Sequence, residues 1–164
     1  MDDTRIFRVI ANYRELMKKN KKSIEYLLEM LHSGRHDEGL VRQATFRQGT
    51  ASAKTQPSGV ADLSDTLSRY EKLKESETEL TLNMLNRLFE ERQEMSRIYV
   101  CFQVLPEPYK SVLSGIYVSG RTVADVGDEL HRSRKSIEEY RKKGAELIRK
   151  NYNSALSNEE LLIS

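Results

Sequence analysis

The sequence contains no tryptophan, one cysteine, three prolines and eight glycines among its 164 residues. Because Cys101 stands alone, a disulfide framework within one chain is excluded, and the composition is typical of a reducing compartment. The shortage of helix breakers favours long helices joined by few loops. No apolar stretch approaches the ~20 residues that span a bilayer, and the first residues are acidic rather than basic. We therefore expect a cytoplasmic protein with no membrane partner.

Residues suited to catalysis or metal binding are also scarce. The chain has three histidines and no glycine-rich phosphate loop. His32 and His36 are four residues apart, which on a helix would place two imidazoles on one face for a metal. Weak helix-forming residues separate them and no cysteine is nearby, so we interpret both as loop histidines. The sequence predicts no enzyme activity, no metal and no cofactor.

Positive charge is unevenly distributed, although the formal net charge is only +2. Residues 131–152 contain 8 Lys and Arg against 3 Asp and Glu. A local excess of this kind is the electrostatic footprint of a nucleic-acid contact. The C-terminal segment is therefore the first candidate for a functional surface.

The N-terminal part is predicted to hold a helical segment followed by a connector. Apolar residues recur at steps of three and four over residues 1–31, which predicts an amphipathic helical segment. Lysines around Asn20 interrupt the pattern, so one kinked helix and a helical hairpin both fit it. We interpret these lysines as a solvated turn. Residues 32–60 lose the apolar rhythm and are rich in Gly, Ser, Thr and Gln, which predicts a flexible linker.

Residues 61–105 are predicted to form one long helix of roughly 60 Å. Its apolar positions recur near the coiled-coil period. A helix of this length needs a partner surface, and two are available: the N-terminal helix folded back on it, or the same helix in a second subunit. We favour the first, with a homodimer through the long helix as an addition.

Residues 106–152 are predicted to form three short helices. Gly120 is placed to end the first helix in the left-handed conformation, and Thr122 and Ser133 are placed to cap the second and third. A tight turn joins the last two. The sequence thus predicts an all-α chain with a coiled-coil-like long helix and a C-terminal helix-turn-helix domain, followed by a tail over residues 153–164.

The third of these helices opens with two cations, Arg134 and Lys135. The helix macrodipole makes a cation in the first turn unfavourable by a few tenths to ~1 kcal/mol. A bound polyanion reverses this preference, because the free N–H groups at a helix N-terminus also bind phosphate. The pattern predicts that this helix enters the major groove of double-stranded DNA.

The predicted DNA contacts form two groups. Base-edge contacts are assigned to four side chains at the start of the third helix: Arg134, Lys135, Glu138 and Glu139. Phosphate contacts are assigned to seven polar side chains of the same domain: Lys110, Thr122, Arg132, Ser133, Arg141, Lys142 and Arg149. Only the first group would carry sequence preference.

The segment from Leu105 to Lys150 resembles region four of bacterial sigma factors. The shared frame has a Leu-Pro pair, a Tyr-x-x-Gly-x-Thr step and a serine-capped third helix. Its positions here are Leu105, Pro106, Tyr117, Gly120, Thr122, Val126, Gly127, Leu130, Ser133 and Ile137. Asp125 replaces the usual Glu, and Gly127 and Gly144 replace the usual Ala. The resemblance implies the fold but not the −35 preference, because the promoter-reading positions differ: Lys135, Ser136, Glu138 and Glu139.

A longer resemblance, over roughly residues 40–150, is to phage and prophage regulators of the ArpU and RinA type. These proteins combine a helical segment, a Ser/Gly/Pro connector, a long Glu-rich helix and a region-four-like end. The connector from Ala44 to Asp65 is similar to theirs, especially Pro57-Ser58-Gly59-Val60. This resemblance implies a transcriptional regulator, commonly an activator of late phage genes, acting at a promoter with host RNA polymerase.

Two other functions remain compatible with the sequence. A small-terminase-like DNA-packaging subunit also joins a helix-turn-helix to helical oligomerisation segments, although its helix-turn-helix is more often N-terminal. A coiled-coil adaptor would use the helix-turn-helix to bind protein. We favour a promoter-directed, sequence-specific DNA-binding regulator.

Overall fold

A computed structural model describes residues 2–33, 40 and 59–163 of the chain. This part of the chain is helical and contains no strand, which confirms the predicted all-α class, and short turns join the helices that follow Gln103. The helices are α1 Asp3–Ser33, α2 Gly59–Gln103, α3 Tyr109–Leu113, α4 Val123–Glu129, α5 Arg134–Tyr152 and α6 Asn158–Ile163. A π-helical turn, Ser114–Val118, continues α3. None of the helices in the described ranges is long and apolar enough to cross a membrane.

Helix α1 runs without a break through the lysine-rich segment. Its departure from helical geometry lies earlier, at Asn12, with φ −123° and ψ 21°. The Asn12 side chain donates from Nδ2 to the carbonyl of Arg8 at 3.3 Å. Such side-chain bonds compete with the helical pattern and accompany bends. The N-terminal segment is therefore one kinked helix, and the prediction of a solvated lysine turn is wrong.

The chain divides into two compact units. The first contains Met1–Asn20 and Glu90–Ser164, and the second contains Lys21–Phe89. Helices α1 and α2 each contribute to both units.

In the first unit, α1 is part of the core beneath the helix-turn-helix. Ile6, Val9 and Ile10 are at most 2% exposed. They share one hydrophobic cluster with buried side chains from the rest of the unit: Met95, Ile98, Cys101, Phe102, Leu105, Leu113, Ile148 and Leu161. Full burial of such a side chain stabilises the fold by ~1.5–3 kcal/mol. The folded domain therefore includes residues far outside the predicted helix-turn-helix segment.

Polar and aromatic contacts add to the packing of α1 on α2 in this unit. Arg5 donates to Glu94 at 2.9 Å and to Glu91 at 3.5 Å. The rings of Tyr13 and Tyr99 stack with centroids 3.9 Å apart. The expected return of the N-terminal helix onto the long helix is thus observed within one chain.

The second unit has its own apolar cluster. Ile24 and Leu27 of α1 are buried together with Leu85 of α2. Leu40, inside the predicted linker, is helical and 2% exposed. Helix α2 therefore has an intrachain partner here as well, while the homodimer stays a prediction.

The helices extend into both ends of the predicted linker. Helix α1 continues to Ser33 and α2 begins at Gly59. The predicted flexible linker covers residues 32–60. Within it, residues 34–39 and 41–58 lie outside the described residues.

The predicted C-terminal tail contains α6. Ser157 and Glu160 form reciprocal hydrogen bonds, in which each backbone N–H donates to the other side chain, at 2.6 and 3.2 Å. The hydrogen bond that the Glu160 carboxylate accepts from the Ser157 backbone, and then the one from the Ser157 side chain, lower the pKa of Glu160, and Leu161 is buried. The Ser-x-x-Glu spacing is a capping-box signature that the sequence interpretation missed.

Candidate nucleic-acid interface

Helix α4 begins at the predicted cap, Thr122. Its Oγ1 accepts from the backbone N–H of Asp125 at 3.2 Å, and the Asp125 carboxylate accepts from the Thr122 N–H at 3.1 Å. These reciprocal bonds form a capping box. The hydrogen bond from the Thr122 side chain, and then the one from its backbone, lower the pKa of Asp125. The Thr122 hydroxyl, a predicted phosphate contact, is thus engaged in capping.

The turn between α4 and α5 depends on Gly127. The Arg132 N–H donates to the Gly127 carbonyl at 2.9 Å, and His131 adopts a positive φ of 51°. A Cβ at position 127 would lie 2.9 Å from the Arg132 carbonyl oxygen. Because that oxygen belongs to the backbone, it has little freedom to move away. Glycine therefore allows the tight return that brings α5 against α4.

Close contacts between α3 and α5 set the rotation of α5. A Cβ at Gly144 would lie 3.0 Å from Leu113 Cδ1 and 3.5 Å from Tyr109 Cβ. The ring of Tyr109 meets that of Tyr140 edge to face, with centroids 5.7 Å apart. Together with the burial of Ile137, these contacts decide which side chains of α5 face outward.

The N-terminus of α5 has the predicted arrangement. Ser133 Oγ accepts from the Ser136 N–H at 3.2 Å, which confirms the cap. Arg134 and Lys135 follow in the first turn, which contains no acid, and both are exposed. Ile137 is fully buried, and Lys135 lies roughly 160° around the helix from it. The two cations therefore lie at the positive end of the helix dipole and in contact with solvent.

Further charged side chains lie along the solvent-exposed side of α5, next to its basic N-terminal end. Lys135, Glu139 and Lys142 are exposed and recur at steps of four and three, so they lie on one side of the helix. Arg132 and Arg134 are exposed where the turn meets the helix. In the described part of the chain, no ion pair holds any of these five side chains. We call this set the reading surface.

Glu138 and Arg141, two of the predicted DNA contacts, form an ion pair with each other. Arg141 donates to Glu138 at 2.9 Å, with both side chains about one-third exposed. The Arg141 guanidinium also lies 6.0 Å from the centroid of the Phe7 ring, which stacks on Tyr117 at 4.3 Å. Burial raises the pKa of Tyr117, while Arg141 opposes that shift. These contacts favour a structural role for both side chains.

Arg149 and Lys110, both predicted phosphate contacts, are also engaged within the chain. Arg149 donates to the Asp3 carboxylate at 2.6 Å. Lys110 donates to the carbonyl of Gln103, the last residue of α2, at 2.7 Å. A cation at this position satisfies a carbonyl that the helix itself leaves unpaired. The structure therefore does not bring these two side chains into the reading surface.

Arg97 is a structural residue that the sequence interpretation missed. It donates to the carbonyls of Asn151 and Ser154 at 3.0 and 3.2 Å, and to Asn158 Oδ1 at 3.0 Å. It therefore holds the C-terminal end of α5 and the start of α6 on α2. No local pattern reveals this role, because its partners lie 54 to 61 residues away.

The histidine pair considered as a metal site is only partly described. His32 Nδ1 lies 2.7 Å from the Leu28 carbonyl oxygen, while His36 lies outside the described residues. Over residues 2–33, 40 and 59–163, no group of three His, Cys, Asp or Glu side chains is placed to hold a metal ion.

Comparison with known proteins agrees with the sigma-factor part of the resemblance. The chain is similar to the RNA polymerase sigma factor SigO of Bacillus subtilis (strain 168), with 41% identity over 54 residues. The matched region covers 33% of this chain and 31% of that sigma factor. No family model matches the chain, and no solved structure matches it. The all-α chain thus contains a sigma-factor-like region, and the similarity does not bear on the phage regulators.

Proposed function

We propose that this protein is a sequence-specific DNA-binding regulator of transcription. The observation that carries the proposal is the exposed Arg134 and Lys135 pair in the first turn of α5. Each cation costs a few tenths to ~1 kcal/mol against the helix dipole, and no acid in that turn offsets this cost. A bound polyanion supplies the compensation, and the similarity to a sigma factor supports DNA as that polyanion.

The reading surface suits a helix that enters the major groove. Arg134 and Lys135 are matched to the O6 and N7 acceptors of guanine, and Glu139 is matched to the N4 donor of cytosine. Lys142 and Arg132 are suited to phosphate, which contributes affinity without sequence preference. Sequence discrimination would therefore depend on the first turn and a half of α5.

The proposal extends to where the regulator acts. The similarity to a sigma factor, together with the resemblance to phage and prophage regulators, supports action at a promoter with host RNA polymerase, as a late-gene activator. The regulator is not an enzyme and needs no cofactor. It works in the cytoplasm. A homodimer formed through α2 would place two reading surfaces on one operator.

A map of bound sites in the host genome, followed by binding assays, tests the proposal. The enriched sequence is placed in a short duplex and titrated with the full chain. We expect Arg134→Ala and Lys135→Ala each to weaken binding by ~1–3 kcal/mol. Matched controls are Arg69→Ala and Lys72→Ala, which remove exposed cations of α2 and should leave affinity unchanged.

Three results would contradict the proposal. Equal binding by the parent chain and both α5 variants would exclude the assigned base contacts. Duplex binding that does not change with salt, or no binding at all, would favour a protein-binding adaptor. A ring of eight or more subunits in a mass measurement would favour DNA packaging.

A further inference from the structure

Helix α1 carries a second basic surface, formed by Arg8, Arg14 and Lys18. All three side chains are exposed, and no ion pair in the described part of the chain engages them. Residues 8–19 contain four Lys and Arg and a single acid, Glu15. We call the three cations the α1 basic face.

The spacing of the cations does not stabilise α1. Arg14 and Lys18 are four residues apart, so two like charges are neighbours on one side of α1, an arrangement that destabilises a helix slightly. Tyr13 and Met17 pack against the core from the adjacent positions, so the register of α1 keeps both cations outward. As in the first turn of α5, an external anion would relieve the repulsion.

Contacts within the first unit place the start of α1 beside the reading surface. Asp3 is bonded to Arg149, and Phe7 lies against Arg141. Lys142 of the reading surface and Arg149 are seven residues apart, which is two helical turns, so they lie on the same side of α5. The first turns of α1 therefore border the outward face of α5, and Arg8 directly follows Phe7 in these turns.

We propose that the α1 basic face binds the phosphate backbone of duplex DNA next to the site contacted by α5, an inference that rests on the proposed DNA-binding function. The ten residues from Arg8 to Lys18 would rise ~15 Å in a straight helix, which is the upper limit here because α1 bends at Asn12. One DNA strand presents a charge every ~3.4 Å along its axis, so about four phosphates lie within that span. Such contacts lengthen the protected site and raise affinity without changing sequence preference.

The test measures how salt weakens binding to a 40-bp duplex of random sequence. The test variant combines Arg8→Ala, Arg14→Ala and Lys18→Ala. A matched variant combines three replacements of exposed α2 cations, with the same change in net charge: Arg69→Ala, Lys72→Ala and Arg87→Ala. Thermal unfolding of both variants verifies that they remain folded.

We expect the α1 variant to lose about ten-fold in affinity at 0.1 M salt. The slope of log affinity against log salt should fall in magnitude by about two to three, since each neutralised phosphate contributes ~0.9. The α2 variant should change the slope by less than one. Equal losses in the two triple variants, or no loss in the α1 variant, would overturn the inference.

The Arg134→Ala, Lys135→Ala double variant separates this inference from the proposed function. If that variant loses affinity for its specific site while the α1 variant matches the parent in the salt titration, the function stands and the α1 face is not a DNA contact. If the parent itself shows no salt-dependent duplex binding, both proposals fail.

Discussion

Asp3 accepts a 2.6 Å hydrogen bond from Arg149, which joins residues 146 positions apart in the chain. The two side chains are 45% and 35% exposed, so the ion pair itself contributes only ~0–1 kcal/mol. The pair marks where the first turn of α1 meets α5, while the buried side chains of α1 supply the packing. The helix-turn-helix is therefore built on the N-terminus of the protein as well as on the long helix.

The ion pair can be measured with a double-mutant cycle of Asp3→Asn and Arg149→Ala. We expect a coupling free energy of about 0.2–1 kcal/mol from urea unfolding. Because the Arg149 side chain is engaged by Asp3, Arg149→Ala should weaken DNA binding less than Lys142→Ala does. The reverse order would restore Arg149 as a phosphate contact.

Deleting residues 2–12 should abolish cooperative unfolding of the first unit. The deletion removes three buried core side chains, Ile6, Val9 and Ile10. At ~1.5–3 kcal/mol each, their loss is comparable with the whole stability of a small domain, ~5–15 kcal/mol. A matched control replaces the exposed Leu162 and Ile163 by alanine and should keep the parent melting curve. A sharp, unshifted melting transition for the deletion variant would show that α1 is dispensable.

Gly127→Ala and Gly144→Ala should differ in their effect on stability. At position 127 the new Cβ meets a backbone oxygen at 2.9 Å, so we expect a net cost of about 1–3 kcal/mol. At position 144 it meets a side-chain atom, Leu113 Cδ1, at 3.0 Å, so a shift of that side chain by a few tenths of an ångström would accommodate it. The helix propensity gained by alanine, ~1 kcal/mol, should offset most of that second cost. Urea unfolding of the two variants checks the order, and an equal cost would contradict it.

Removing the first-turn cations of α5 should improve stability while it reduces binding. Without DNA, Lys135→Ala and Lys135→Glu should each raise the free energy of unfolding by a few tenths to ~1 kcal/mol, because both remove the repulsion between the cation and the helix dipole. The increase should be larger for Lys135→Glu, because an acid in the first turn is attracted to the dipole. The same replacements at Lys150, in the last turn of α5, should lower stability, since cations are favoured there. Thermal unfolding in low salt measures both effects. Loss of stability on removing Lys135 would indicate an intramolecular role for it.

The capping box of α4 should give stability a dependence on acidic pH. The pKa of Asp125 is lower in the folded protein than in the unfolded chain, so the folded state binds fewer protons between the two pKa values. Stability therefore rises with pH across that window, below about pH 4, and the contribution of Asp125 is lost as the pH falls through its folded pKa. Asp125→Asn should flatten this part of the profile relative to the parent. Superimposable pH profiles for the two proteins would exclude the carboxylate as the cause.

Local features of the helix-turn-helix could be predicted from the sequence because each depends on a few adjacent residues. The side chains of Thr122 and Ser133 cap α4 and α5 by accepting hydrogen bonds from the backbone N–H groups three residues ahead. Gly120 adopts a φ of 66°, a conformation that a residue without Cβ reaches without strain. The exposed cations at the start of α5 follow from the same short-range pattern, since helix periodicity alone places Ile137 inward and Lys135 outward.

Long-range contacts distinguish basic residues that look alike in the sequence. Arg141 and Arg149 resemble Lys142, yet Arg141 lies against Phe7 and Arg149 is bonded to Asp3. Hydrophobic periodicity did not predict the kink at Asn12 either, where the side chain donates to the carbonyl of Arg8 one turn earlier.

The sequence by itself determined the helical class, the caps and turns, and the unusual charge at the N-terminus of α5, since these depend on propensity and on hydrogen bonds between near neighbours. Only the tertiary structure decided that α1 completes the core under the helix-turn-helix. The reason is physical: burial and ion pairing join groups through space, and separations of 86 to 146 residues leave no trace in local spacing.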